Sequence, residues 1–241
     1  MDKISIGHRT TLASHVYDAV RKAIVSRDLE PGSLYSVASI AERLDVSRTP
    51  VREALLKLQD QGMIKFERNR GARILSTTVR DLRELFSLRL LLEVPSAHIA
   101  AQRANSSDLT RLRNVESKCR EAYLHYPEDI RRHLEPDAHF HQEIAKIAGN
   151  MRLASIVGDI FAQQMMADLS TADVRDRKQE IVADHSRIVE AISASDGKGA
   201  ALAMRDHLIG SATALTSKET GEDGVDLAFF LGISAVSLAL L

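Results

Sequence analysis

The chain has no tryptophan, a single cysteine, five prolines in 241 residues and only 4% aromatics. One cysteine, Cys119, excludes an intramolecular disulfide framework and suits a reducing compartment. Its helical spacing from Leu112 and Val115 reads as a small buried residue before it reads as a catalytic thiol. Few aromatics beside 44% apolar residues predict aliphatic packing between helices. No fixed-period repeat and no low-complexity tract is present. The N-terminus lacks the basic-then-apolar pattern of a signal peptide, which predicts a cytoplasmic protein with no membrane partner. The net charge of -1 is also small, but it hides an asymmetry. Up to Leu75 there are 13 Lys+Arg against 9 Asp+Glu, and beyond it 19 against 24. A basic first third joined to an acidic remainder predicts that the first part meets a polyanion.

Within that basic third, apolar positions at Leu12, Val16, Val20, Ile24 and Val25 predict a one-faced helix, closed by Pro31-Gly32. Leu34-Tyr35 suits a short strand, and Ser36 caps a second helix from Val37 to Leu44. After the turn Asp45-Val46-Ser47 comes a third helix, with Ser47 as its N-cap, Pro50 in its first turn and Val51, Leu55 and Leu58 as a buried stripe. Arg48 and Arg52 lie one turn apart on another face, where guanidinium forks can reach guanine edges and phosphates. A solvated charged face is the alternative for two arginines alone. Two short helices on a tight turn nevertheless read as a helix-turn-helix. Met63–Glu67 and Ala72–Leu75 flank Arg68, Asn69, Arg70 and Gly71 as a β-hairpin wing with a basic tip.

The segments Val16–Ile24, Leu29–Gly32, Ile40–Leu44 and Val46–Leu55 together resemble the winged-helix domain of GntR-family bacterial transcription regulators. The resemblance implies a double-stranded DNA operator with palindromic half-sites and a homodimer to read them. It puts Arg48, Thr49 and Arg52 on the operator, with Arg68, Arg70 and Gly71 in the wing. Where some members carry an arginine near the start of the second helix, this chain has Ala38.

The expected organisation is a winged helix over 1–75, a linker at 76–78, an all-helical bundle over 79–217, and a polar link with an apolar tail over 218–241. Thr78 with Asp81 forms a capping-box-like start to the first bundle helix, which includes Pro95 as a kink point. Further helices are expected over Ser107–Tyr123, from Pro127 or after Pro136, and over Met151–Leu169, Val174–Ser193 and Gly199–Thr216, with Asn150 and Asp196 as caps and Gly197 as a breaker. Gly224–Leu241 is apolar on all sides but shorter than the ~20 residues of a spanning helix, and is expected to pack on the bundle or a dimer partner.

Asp137 and His141 are i, i+4 neighbours, with His139 pointing away; His185 and His207 sit among apolar residues of two other helices. Spacing alone leaves two readings open, core histidines held by hydrogen bonds or a shell for a divalent transition metal. The bundle resembles the FCD effector domain of the FadR-type subfamily, through Asp137-x3-His141, Asp184–Ile192 and Ala203–Leu208. That resemblance implies metal ligation by Asp137, His141, His185 and His207, with zinc expected ahead of nickel or manganese. Arg89, in an apolar run, needs an anion. Glu93 four residues on is one partner, and a small carboxylate effector completing the metal shell is the other. The competing class is a metal-dependent hydrolase or lyase fused to a DNA-binding module. Against it, four protein ligands leave few open positions, and no general base stands out. A regulator with a purely structural histidine cluster is the third reading.

Overall fold

The computed structural model describes residues 11–68, 70–126, 130–166 and 175–216. It divides into two compact units, Met1–Ser76 and Thr77–Leu241. The apolar tail 224–241 and the polar link before it lie outside the described residues.

In the first unit, α1 (Leu12–Val25) buries Ala13, Val16, Val20 and Ile24, the face that the three-and-four spacing sets. Thr11 starts the helix by accepting a hydrogen bond from the backbone N–H of Ser14 at 3.2 Å. Ser36 does the same for α2 (Val37–Arg43) through Ser39, at 3.0 Å. The third helix, α3 (Arg48–Asp60), buries Val51, Ala54, Leu55 and Leu58 and packs on α1. Ser47 occupies the N-cap position with extended backbone, yet its side chain makes no capping bond. The expected cap is therefore one of position and not of hydrogen bonding.

Three antiparallel strands complete this unit in the order β1 (Leu34–Tyr35), β3 (Gly71–Ile74), β2 (Ile64–Glu67). The register pairs Ile64 with Ile74 and Glu67 with Gly71, so Ile64, Ala72 and Ile74 fall on the buried side. Gln59 of α3 accepts a hydrogen bond from the backbone N–H of Phe66 at 3.1 Å and so ties the hairpin to the helix. Helix-turn-helix followed by a strand hairpin is the expected winged helix.

The second unit is helical: α4 (Val79–Arg103), α5 (Ser106–His125), α6 (Ile130–Ile147), α7 (Met151–Gln164), α8 (Arg175–Ser193) and α9 (Gly197–Thr216). Thr78 and Asp81 form a full capping box, and α4 runs unbroken through Pro95. Asn150 caps α7 through Leu153, and Asp196 caps α9 through Gly199, each at 2.9 Å. Of the two starts weighed for α6, the one near Pro127 fits its beginning at Ile130; Pro136 lies inside the helix, where Leu134, Asp137 and Phe140 are buried on both sides of it and packing offsets one lost backbone bond. One expectation is corrected. Gly197 begins α9 and does not interrupt the chain, since the side chain of Asp196 supplies the cap. The core gathers Phe86, Leu90 and Val94 of α4, Phe140 and Ile144 of α6, Ile188 and Ile192 of α8, and Met204 and Leu208 of α9.

Candidate nucleic-acid interface and candidate metal centre

In the winged helix, Arg48, Thr49, Arg52, Arg68 and Arg70 are all exposed. A concave surface joins α3 to the wing, with Arg52 and Gln59 on one side and Phe66, Arg68 and Arg70 on the other. Within the wing, Glu67 accepts from Arg73 Nε at 2.5 Å and meets Arg70 Nη1 at 3.0 Å. The hydrogen bond from Arg73 holds the Glu67 carboxyl below its ordinary range. Arg70 is thus partly committed within the hairpin, although it stays 65% exposed. Gly71 has a reason of its own to be glycine. Its φ is +127°, and a Cβ there would stand 2.2 Å from the carbonyl oxygen of Tyr35. Close passage of β1 is enough to demand this residue, whatever the wing touches.

In the bundle, α6 carries Asp137 and His141, α8 carries His185, and α9 carries His207. One potential ligand atom from each lies within 4.8 Å of all the others, and all four residues are buried. His185 Nε2 is 3.2 Å and His141 Nε2 3.7 Å from Asp137 Oδ1. Neither nitrogen makes a hydrogen bond of normal geometry, although both are shut off from water. His139 is exposed, as its spacing predicts.

Around this cluster stand groups that the sequence does not bring together. Glu93 Oε2 lies 2.5 Å from His141 Nδ1, and Asp184 Oδ2 lies 3.5 Å from His207 Nδ1. Cys119 is buried as expected, but among Tyr123 and Ile181, with its sulfur 3.6 Å from His185 Nδ1. Each ring therefore brings Nδ1 near a partner, as metal-binding imidazoles do, although the contact at His141 Nδ1 is not a hydrogen bond of normal geometry.

Arg89 is 2% exposed. Its Nε donates to Glu93 Oε1 at 2.6 Å, Nη2 reaches Oε2 at 3.4 Å, and Nη1 donates to Gln164 Oε1 at 3.3 Å. Its guanidinium lies 4.1 Å from the ring centre of Phe161. Of the two anions weighed for Arg89, the intramolecular one, Glu93, holds it here.

Electrostatics follow from this arrangement. Burial works to raise the Glu93 carboxyl, but Arg89 and His141 outweigh it and hold it at about 2. Burial likewise opposes the charge on Asp137, and the imidazoles, His185 foremost, overcome it and keep it low. Burial depresses His207 to about 3, against the pull of Asp184, and depresses His141 against the pull of Glu93. Imidazoles depressed at His141 and His207, beside a carboxylate held low, suit the binding of a metal ion. Three nitrogens and one carboxylate also form a donor set suited to zinc, nickel or manganese. The four residues can hold a divalent ion.

His133 was not singled out from the sequence, yet it is fully buried, with Nε2 against the carbonyl oxygen of Tyr126 and its ring 4.4 Å from that of Tyr123. A signal existed, since His133, Asp137 and His141 are spaced by four along one helix face.

Residues 12–74 match the model of the gntR family of bacterial regulatory proteins, and residues 84–210 match the FCD domain. This chain belongs to the GntR family. The gntR match covers the winged helix, and the FCD match covers most of the helical bundle. Among curated relatives, the Uxu operon transcriptional regulator of Escherichia coli is 30% identical, over 78% of this chain and 80% of its own length. The regulator LutR of Bacillus subtilis is 28% identical, over 77% and 92%. A putative L-lactate dehydrogenase operon regulatory protein of E. coli is 28% identical over 88% of each chain. Among solved structures, E. coli McbR/YncC shares the fold with a TM-score of 0.73 at 20% identity, covering 87% of this chain and 99% of its own. The curated relatives are named as regulators, and this chain is a transcription regulator of that family, not an enzyme. Among the described residues no helix is long and apolar enough to cross a membrane.

Proposed function

We propose that this GntR-family regulator senses a small carboxylic acid at a metal site in its FCD domain, and that binding changes its affinity for an operator. Asp137, His141, His185 and His207 would hold a divalent transition ion, zinc before nickel or manganese. The observation that carries the reading is the convergence of four buried donors in which the Nε2 atoms of His141 and His185 have no normal hydrogen bond. Such atoms are costly inside a bundle unless something binds them. A bound ion supplies a Lewis-acidic position that an acid's carboxylate can share.

Arg89 is the second anchor proposed for the effector. Nη1, now directed at Gln164, is the part of its fork not engaged by Glu93. A relative named for an L-lactate dehydrogenase operon points to hydroxy acids, which chelate a metal through carboxylate and hydroxyl. At the output end, Arg48, Thr49 and Arg52 would read base edges, while Arg68, Arg70 and the backbone at Gly71 would contact the phosphodiester chain. A homodimer presents two such surfaces to two half-sites. Coupling is then a free energy shared between effector and operator.

The deciding experiment is a thermal-shift screen of small carboxylic acids with and without added divalent metals. The expected outcome is a rise in melting temperature that needs both acid and metal. Purified protein without metal, in which His185→Ala changes neither metal affinity nor acid response, would leave a regulator whose histidine cluster is only structural.

A further inference from the structure

The three imidazoles of the cluster share an orientation but not a partner type. His141 and His207 turn Nδ1 toward the carboxylates of Glu93 and Asp184. His185 turns Nδ1 toward the sulfur of Cys119, 3.6 Å away. That same sulfur lies 3.8 Å from Asp137 Oδ1. Cys119 belongs to α5, is fully buried, and touches two of the four donors while standing outside their immediate cluster.

We propose that Cys119 is a positioning residue of the metal centre: its sulfur accepts a hydrogen bond from Nδ1–H of His185, and its S–H faces Asp137. The inference rests on the metal reading of the four-residue cluster. A neutral imidazole carries one proton, and a ring that offers the Nε2 lone pair must keep that proton on Nδ1. The proton then needs an acceptor, which Cys119 provides. Without it, the other tautomer becomes favourable, because a small turn of the ring would let Nε2–H donate to Asp137 Oδ1, 3.2 Å away and now out of hydrogen-bond geometry. That bond would mask a nitrogen and a carboxylate oxygen of the site together. Sulfur is a weaker acceptor than the carboxylates behind the other two rings, so His185 is the most easily reoriented of the three.

The test uses the full chain with Cys119→Ala, Cys119→Ser and His185→Ala. Zinc affinity is read by competition with a chromophoric chelator, and the tautomer of His185 by nitrogen-15 NMR of the metal-free protein. Cys119→Ala is expected to weaken zinc binding by about 10–100-fold, the usual cost of losing an outer partner. It should also shift His185 toward the Nε2–H tautomer while His141 and His207 keep theirs. Cys119→Ser, which restores an acceptor, should recover part of both. Wild-type zinc affinity and an unchanged His185 tautomer in Cys119→Ala overturn the proposal. Should that variant fail to fold, Cys119→Ser carries the decision: a ring held as Nδ1–H supports it, and an Nε2–H ring refutes it. If His185→Ala binds zinc as well as wild type, the metal reading fails. The metal-free tautomer then decides by itself whether Cys119 orients His185.

Discussion

Glu93 binds Arg89 through Oε1 at 2.6 Å and reaches His141 Nδ1 with Oε2 at 2.5 Å. One buried carboxylate thus links the single buried guanidinium among the described residues to a potential metal ligand. Removing Glu93 alone leaves Arg89 charged and without its main partner. Glu93→Ala should therefore destabilise the bundle by about 3–5 kcal/mol, whereas the double change Arg89→Met with Glu93→Leu should cost clearly less. Urea unfolding of the three proteins decides it, and equal costs would show that the pair is not strongly coupled.

Metal removal supplies a second prediction. Chelation should lower the melting temperature of wild-type protein, and zinc at about 100 times its dissociation constant should restore about 2.7 kcal/mol. His207→Ala should abolish both responses in a thermal-shift assay.

The pH dependence of the metal-free protein has a definite sign. His207 is held at about 3 in the folded bundle, against 6.5 for an ordinary imidazole. Below about pH 6.5 the unfolded chain takes up a proton that the folded site refuses, so stability falls as pH drops toward 3. His141 is depressed in the same sense. Glu93 and Asp137 are also held low, and add to the loss once the pH falls through the ordinary carboxylate range. Urea midpoints at pH 7.5, 6 and 5 should decrease in that order, and less steeply in His207→Gln.

For the operator, Arg52→Ala should cost about 1–3 kcal/mol on the cognate site and much less on unrelated DNA if Arg52 reads a base. Arg68→Ala should weaken binding to all sequences alike and flatten the salt dependence. Fluorescence anisotropy at two salt concentrations separates the two patterns.

Gly71→Ala should lower the stability of the winged helix itself. A Cβ 2.2 Å from Tyr35 O cannot be accommodated without moving β1, and a side chain at φ +127° is strained as well. The expected readout is a lower unfolding midpoint in the absence of DNA. An unchanged midpoint with lost DNA affinity would reassign Gly71 to the interface alone.

The winged helix was legible because its signals are local: Ser36 as a cap, the stripe through Val51, Leu55 and Leu58, and the break at Arg68–Gly71 all act within a few residues. Asp137, His141, His185 and His207 were legible as candidates because the chain resembles a known family; their spacing alone left two readings open. The contacts behind them were not. Cys119 and His185 are 66 positions apart, and Arg89 and Gln164 are 75 apart. No periodicity links residues on separate helices. Pro136 left the start of α6 open between two positions for the opposite reason, since a strong local helix breaker is overridden by packing on either side of it.

The buried carboxylates around the three rings also set an electroneutrality condition. Asp137, Glu93 and Asp184 are each less than a tenth exposed, and among the buried groups joined to them only Arg89 is cationic. Arg187 meets Asp184 from the solvent side, being 61% exposed. Three carboxylates against Arg89 inside and Arg187 at the edge leave negative charge in excess, and a divalent cation among the rings would take it up.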